Sequence, residues 1–156
     1  MVMDDVARTG RDKQIYTSDG AREVVGVVAI IKESKQIVLV SSRKHEKYVL
    51  PKGGAENDET FEESAIRECW EEAGCSKGTI TKFLASYGPD DEVTLLAKRK
   101  SKTRFTFFEM DVTSLEDKWP ECKERTRKLA SYDEALEILK DPVFLAALNL
   151  CSLAPT

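Results

Sequence analysis

Between Thr60 and Gly74 the chain specifies both ends of one helix, and no other stretch limits its fold so tightly. Thr60-x-x-Glu63 is a capping box. The threonine hydroxyl can accept from the third backbone N–H while the glutamate reaches back to the cap's own N–H, so a helix is expected from about Phe61. Gly74 tolerates the left-handed backbone that stops a helix. At about 100° per residue, Ala65, Ile66, Cys69, Trp70 and Ala73 gather on one side as the expected buried face. Glu68, Glu71 and Glu72 gather on a neighbouring stripe.

That stripe carries a conflict. Glu68 and Glu72 stand one turn apart with Glu71 beside them, and like charges at i,i+4 destabilise a helix by roughly 0.2–0.5 kcal/mol. A divalent cation removes the conflict. Hard carboxylate oxygens without histidine or cysteine suit Mg²⁺ or Mn²⁺. The preceding Pro51-Lys52-Gly53-Gly54 can add a backbone carbonyl, because glycine lets backbone approach closely. Arg67 can hold a neighbouring carboxylate in one rotamer, with Glu59 as its expected partner.

The rest of the chain supplies a sheet. Glu23 to Ile31 (EVVGVVAII) is a β-branched run suited to a buried strand, and Gln36 to Ser41 (QIVLVS) pairs naturally with it. Thr79 to Tyr87 and Arg104 to Val112 read as further strands. Ser131-x-x-Glu134 opens a helix through SYDEALEILK, and Asp141-Pro142 ends it and begins another, VFLAALNL. Strands mixed with a few helices predict an α/β sandwich. With 156 residues and no repeat or linker, one domain is expected, its first twenty residues forming a polar arm. A net charge of −4 argues against general affinity for nucleic acid or acidic membranes. No apolar run approaches a membrane span, and MVMDDVARTGRDK lacks the apolar core of a signal peptide. Cys69, Cys75, Cys122 and Cys151 show no CxxC spacing and, with the single His45, make no zinc pattern. Reduced thiols, and a cytoplasmic or also nuclear monomer, are the expectation.

Acidic helices are usually just solvated, so spacing has to decide. Gly53 to Cys75 resembles the Nudix box, Gly-x5-Glu-x7-Arg-Glu-U-x-Glu-Glu-x-Gly-U, in which U is normally aliphatic. Gly53, Glu59, Arg67, Glu68, Glu71, Glu72 and Gly74 match all its fixed letters. A chance match at one start is of order 10⁻⁸ at average residue usage, so the solvated-helix reading fails. The U positions hold Cys69 and Cys75, small hydrophobes that leave the acidic stripe intact. The resemblance implies an α/β/α sandwich with a mixed sheet, the box forming a loop–helix–loop, and hydrolysis of a diphosphate linked to another moiety. It implies Glu68, Glu72 and the Lys52 carbonyl as metal ligands. Glu71 becomes the proton acceptor or a further ligand, with Arg67 beside it. A ligand from outside the box could come from Glu92, Glu109 or Glu116.

Basic residues cluster outside the box, in four groups: Arg8, Arg11, Lys13 and Arg22; Arg43, Lys44 and Lys47; Lys98 to Arg104; and Lys123 to Lys128. Around an acidic site in a net-acidic chain they suit a polyanionic substrate. ARTGRDKQIY, GAREVVG, VLVSSRKHEKYVLPKGG and KWPECKERTRKLASYDEA also resemble the diphosphoinositol polyphosphate phosphohydrolases, most nearly the fungal branch that hydrolyses diadenosine polyphosphates too. This resemblance places substrate contacts on Arg22, Ser42, Arg43, Lys44, Lys100, Lys102 and Arg125, and the side chains of Arg22, Arg43, Lys44 and Arg125 are expected on the surface. Inorganic polyphosphate is a further candidate substrate. Glu23 and Val24 stand where animal members are basic, and the segment 87–103 is shorter than in the fungal branch. Two other readings stay open. A nucleotide-pool or ADP-ribose hydrolase would need a base sandwich from Tyr16, Tyr48, Tyr87 or Phe107. A non-catalytic binding module would normally have lost box carboxylates, which this chain retains.

Overall fold

The computed structural model describes residues 6–10 and 12–156. The expected arm therefore falls partly outside the described residues, and Arg11 with it. The chain folds around β1 (Arg22–Ile31), the run that read as a buried strand, and seven of its ten residues are buried. On one side β2 (Gln36–Ser41) returns antiparallel through a tight turn that sets Lys35 at φ 55°. On the other, β6 (Thr103–Leu115) runs parallel to β1 from Arg22↔Thr103 to Ile30↔Asp111. A parallel neighbour requires a long crossover, and here that crossover carries the acidic helix.

The sheet order is β3-β2-β1-β6-β5, with β3 (Tyr48–Val49) beside β2 and β5 (Cys75–Tyr87) antiparallel to β6 at the far edge. Two short strands pair off that path, β4 (Lys52–Gly54) on β1 and β7 (Arg127–Ala130) on β2. None of β3, β4 or β7 is long enough to show a period of two, so the sequence pattern leaves them as loop. β5 begins at Cys75 rather than Thr79. Its pairing with β6 slips at several points, and those bulges interrupt the alternation of side chains.

Among the described residues there are four helices: α1 (Phe61–Ala73), α2 (Glu92–Leu96), α3 (Tyr132–Ile138) and α4 (Pro142–Leu148). Both capping boxes form, Thr60 with Glu63 and Ser131 with Glu134. Gly74 ends α1 at φ 75°, and the side chain of Asp141 caps α4 through Val143 N–H. α3 stops two residues short of the expected Lys140, where the chain prepares that new cap.

α1 and α4 lie on opposite faces of the sheet. Gly53, paired with Val25, has its Cα against the Glu68 carboxylate of α1. The next β1 residue, Gly26, turns the other way toward Phe107, since side chains alternate along a strand. There Phe105 and Phe107 stack at 5.8 Å, and both meet Phe144 of α4 edge-on. This is the expected α/β sandwich with a mixed sheet. Among the described residues no helix is long and apolar enough to cross a membrane.

The burial of α1 differs from its helical wheel. Ala65, Cys69, Trp70 and Ala73 are buried as expected, but Ile66 is only half-buried while Arg67, Glu68, Glu71 and Glu72 are buried with them. The acidic stripe faces protein because cations from elsewhere meet it.

Candidate functional site

A cleft of about 400 Å³ opens at the end of the sheet where β1, β4 and α1 converge. Its floor is the box. Arg67, 8% exposed at its side chain, is the hub. Its Nε donates to both oxygens of Glu59 at 3.0 Å, the expected partnership. Nη1 donates to Glu68 at 2.8 Å and Glu71 at 3.3 Å, and Nη2 donates to the Gly54 carbonyl at 3.1 Å. One guanidinium thus ties the loop to three carboxylates. This planar fork matches its partners in a way that a lysine could not.

Gly53 is required by the same packing. A Cβ there would lie 2.1–2.3 Å from the carboxylate atoms of Glu68. Glu72 is held by the Lys52 backbone N–H at 3.1 Å and by Arg125 Nη2 at 3.1 Å. Glu71 receives Arg8 N–H at 3.0 Å on the oxygen that Arg67 leaves free.

Burial pushes the Glu68 carboxyl well above its ordinary range, and the neighbouring Glu72 charge adds to that. Burial raises Glu72 to about 7, against the pull of Lys52 and Arg125. Glu71 is also raised by burial, and the Lys52 ammonium is lowered by it. Enclosed carboxylates that resist ionisation although two arginines touch them have room for more positive charge. The donor set is all oxygen and fits a hard divalent cation. Among the described residues, the one trio whose carboxylate oxygens all lie within 4.8 Å of one another is Glu56, Asp58 and Glu59, and the box carboxylates Glu68, Glu71 and Glu72 stand farther apart than that. The charges of the Glu56 trio are already met by Arg8, Lys13 and Arg67. Glu68 and Glu72 each meet one arginine, and burial still holds both carboxyls above their ordinary range.

The expected substrate contacts divide. Arg22 and Arg43 line the cleft, Arg22 with its Nε on Gln14 and Arg43 reaching Glu121 at 3.5 Å. Arg125 was expected on the surface and is half-buried, its side chain only 9% exposed. It donates to Glu72, to Glu121 at 2.7 Å and to the Ser41 carbonyl at 3.0 Å, so it braces the wall of the cleft. Ser42 and Lys44 sit on the β2–β3 turn behind Arg43, where the Ser42 hydroxyl accepts Glu46 N–H. Lys100 and Lys102 line a second concavity, of about 390 Å³, with Thr94 and Arg99.

Of the carboxylates considered outside the box, none lines the cleft. Glu109 accepts Ser152 N–H, Glu116 holds Ser76 and Ser114, and Glu92 opens α2. Glu121 does line it, buried, with its backbone N–H on the Glu71 carbonyl. Glu121 lies in the Pro-Glu-Cys segment, four residues before Arg125, and that i,i+4 spacing was the available signal. Arg8 was legible only as one cation of the arm. It spans Glu71, Glu56 and Asp58, and joins the arm to the box.

Comparison with known proteins agrees with this geometry. The NUDIX domain family matches residues 20–147. Nudix hydrolase 4 of Arabidopsis thaliana is 35% identical over 147 residues, covering 87% of this chain and 68% of that protein. Nudix hydrolase 16, mitochondrial, from the same plant is 34% identical, covering 89% and 83%. A NUDIX hydrolase from Nitrosomonas europaea shares the fold at TM-score 0.67 and 17% identity, over 83% of this chain and 86% of its own. A C. elegans Ap4A hydrolase does so at 0.59 and 19%, over 81% and 92%. Fold, box and family match coincide, and the chain belongs to the Nudix hydrolases.

Proposed function

We propose that this hydrolase cleaves phosphoanhydride bonds in diphosphoinositol polyphosphates, releasing the β-phosphate, and in diadenosine polyphosphates, with inorganic polyphosphate as a further substrate. The observation that carries this reading is the lining of the cleft. It combines the box carboxylates with Arg8, Arg22 and Arg43, and no aromatic side chain is among its described lining residues. A nucleotide-pool enzyme grips a base, and stacking needs a ring. Phe107 is fully buried in the core, and Tyr16, Tyr48 and Tyr87 lie outside the cleft. Cations without rings suit a ligand recognised by its phosphates. The Ap4A hydrolase among the fold neighbours makes dinucleoside polyphosphates a natural member of the substrate set.

Glu68 and Glu72, with the Lys52 carbonyl, would hold Mg²⁺ or Mn²⁺. Such an ion neutralises phosphate charge and acidifies water. Arg67 keeps Glu68 and Glu71 in fixed rotamers, and Arg125 does the same for Glu72. Glu71, raised by burial and facing the cleft, is the group that takes the proton from the attacking water. Arg22 and Arg43 on the rim orient the remaining phosphates, in a chain that works in the cytoplasm or nucleus.

The test is turnover followed by chromatographic analysis of the products on a panel: a diphosphoinositol polyphosphate, diadenosine hexaphosphate, polyphosphate, ADP-ribose and nucleoside triphosphates, each with Mg²⁺, with Mn²⁺ and after chelation. The expected result is metal-dependent turnover with the highest kcat/KM on the first two. Arg22→Ala and Arg43→Ala should raise KM on those substrates. Preference for ADP-ribose or nucleoside triphosphates, with KM indifferent to both arginines, would overturn the reading.

A further inference from the structure

The two cysteines at the ends of the catalytic helix's last turns meet in the core. Gly74 reverses the chain in the left-handed conformation, its N–H donating to the Cys69 and Trp70 carbonyls. A chain turned back in this way lays the residue after the glycine against the helix's final turn, usually as an apolar contact. Here that residue is Cys75 and its contact is Cys69, with the two Sγ atoms 2.7 Å apart and both side chains fully buried. These are the two positions at which the box ordinarily carries aliphatic residues. Aliphatic side chains make this contact and nothing more. Two thiols make it oxidisable, and a disulfide bond needs Sγ atoms at about 2.05 Å.

We propose that Cys69 and Cys75 are a modification site, closing to a reversible disulfide in the folded protein when it meets hydrogen peroxide. One sulfur, as thiolate, attacks a peroxide oxygen; the O–O bond breaks, leaving a sulfenic acid and, after protonation, water. The partner sulfur then displaces the sulfenic oxygen as a second water, forming the S–S bond. Two thiols and one peroxide give one disulfide and two waters, so sulfur is oxidised, peroxide is reduced and the atoms balance. Both sulfurs are enclosed, so the oxidant has to be this small and the reaction is slow, on the scale of hours. The link joins the end of α1 to the start of β5 and fixes the turn at Gly74. It restricts the unfolded chain, so the oxidised protein melts higher. The sulfurs already touch, so closure leaves the fold in place.

The native sequence is sufficient for the test, because trypsin cuts after Arg67 and Lys77 and nowhere between. Both cysteines therefore fall in one peptide, Glu68–Lys77. Reduced, desalted protein is incubated with hydrogen peroxide under native conditions, its remaining thiols are alkylated in denaturant, and the digest is weighed. Half-buried Cys122 reports the oxidant dose. The expected result is an unalkylated Glu68–Lys77 peptide two hydrogens lighter than its dithiol form, restored by dithiothreitol. Unchanged far-ultraviolet circular dichroism and a melting temperature raised by a few degrees should accompany it. A peptide that stays doubly alkylated, or that gains oxygen on one sulfur, while Cys122 is oxidised would overturn the proposal. So would a lighter peptide that appears only as the circular dichroism signal is lost.

Discussion

Replacing Glu72 by glutamine tests the claim that the acidic stripe is buried against its own preference. In the folded protein burial lifts this carboxyl from an ordinary 4.5 to about 7. The difference is roughly 2.5 pKa units, or about 3 kcal/mol of folded-state penalty on the charged form. That figure already includes the help of Lys52 and Arg125. Glutamine keeps an acceptor for Lys52 N–H but turns an NH₂ toward the Arg125 fork, which should take back about 1–2 kcal/mol. A net gain of about 1–2 kcal/mol is left in chelated protein at pH 8, or roughly 2–8 °C in Tm for a domain this size. The sign depends on pH. A carboxyl whose folded pKa is raised favours the fold while protonated, so its contribution is complete below about 4.5 and lost as pH passes about 7. The advantage of Glu72→Gln should therefore shrink from pH 8 toward pH 5, and chelated wild type should itself melt higher near pH 5.5 than at pH 8. With excess Mg²⁺ the order reverses, because the ion stabilises only the protein that binds it. The assay is a melting series over pH with and without chelator. A variant no more stable than wild type at pH 8, or a gain that does not change with pH, would refute the reasoning.

Glu71→Gln should lower kcat by about 10²–10⁴, the usual worth of a general base, while metal titration by calorimetry stays near wild type. Equal losses in rate and metal affinity would make Glu71 a ligand instead. Gly53→Ala puts a methyl group where the Glu68 carboxylate now lies, so metal affinity and rate should fall together with Tm within a few degrees; full activity would show that Glu68 is free to move. Gly26→Ala drives a Cβ to 2.5 Å from the Phe107 ring, which stacks on Phe105 and meets Phe144 edge-on. It should cost about 1–3 kcal/mol in denaturant unfolding, the range for overpacking, and an unchanged midpoint would mean the ring has space to shift.

What was legible in the sequence is what is decided within a few residues. The caps at Thr60 and Ser131, the stop at Gly74, the alignment of Glu68 with Glu72 and the reach of Arg67 to Glu59 are all short-range, and all formed. β1 and β2 were legible because a buried strand selects β-branched residues along its whole length. The far wall of the cleft was not, because its contacts cross the fold. Arg125 meets the Ser41 carbonyl across 84 positions and Glu72 across 53, and Arg8 meets Glu71 across 63. By residue type each of these is a surface charge, and so is every glutamate on α1. Whether a charge is buried depends on what arrives opposite it, and a helical wheel carries no partners. This is why Ile66, apolar and placed on the inner face by the wheel, is only half-buried, while Glu68, on the other side of the helix, is enclosed by Arg67 and Gly53. Glu72 shows the same dependence from the other side. It is enclosed because Arg125 and Glu121 pack beside it from the segment before β7, so that wall of the cleft depends on the chain that pairs β7 with β2. On this account the site is not a property of the box alone. The box supplies the charges, and the return of the chain to the β2 edge makes them a buried centre that a cation can complete.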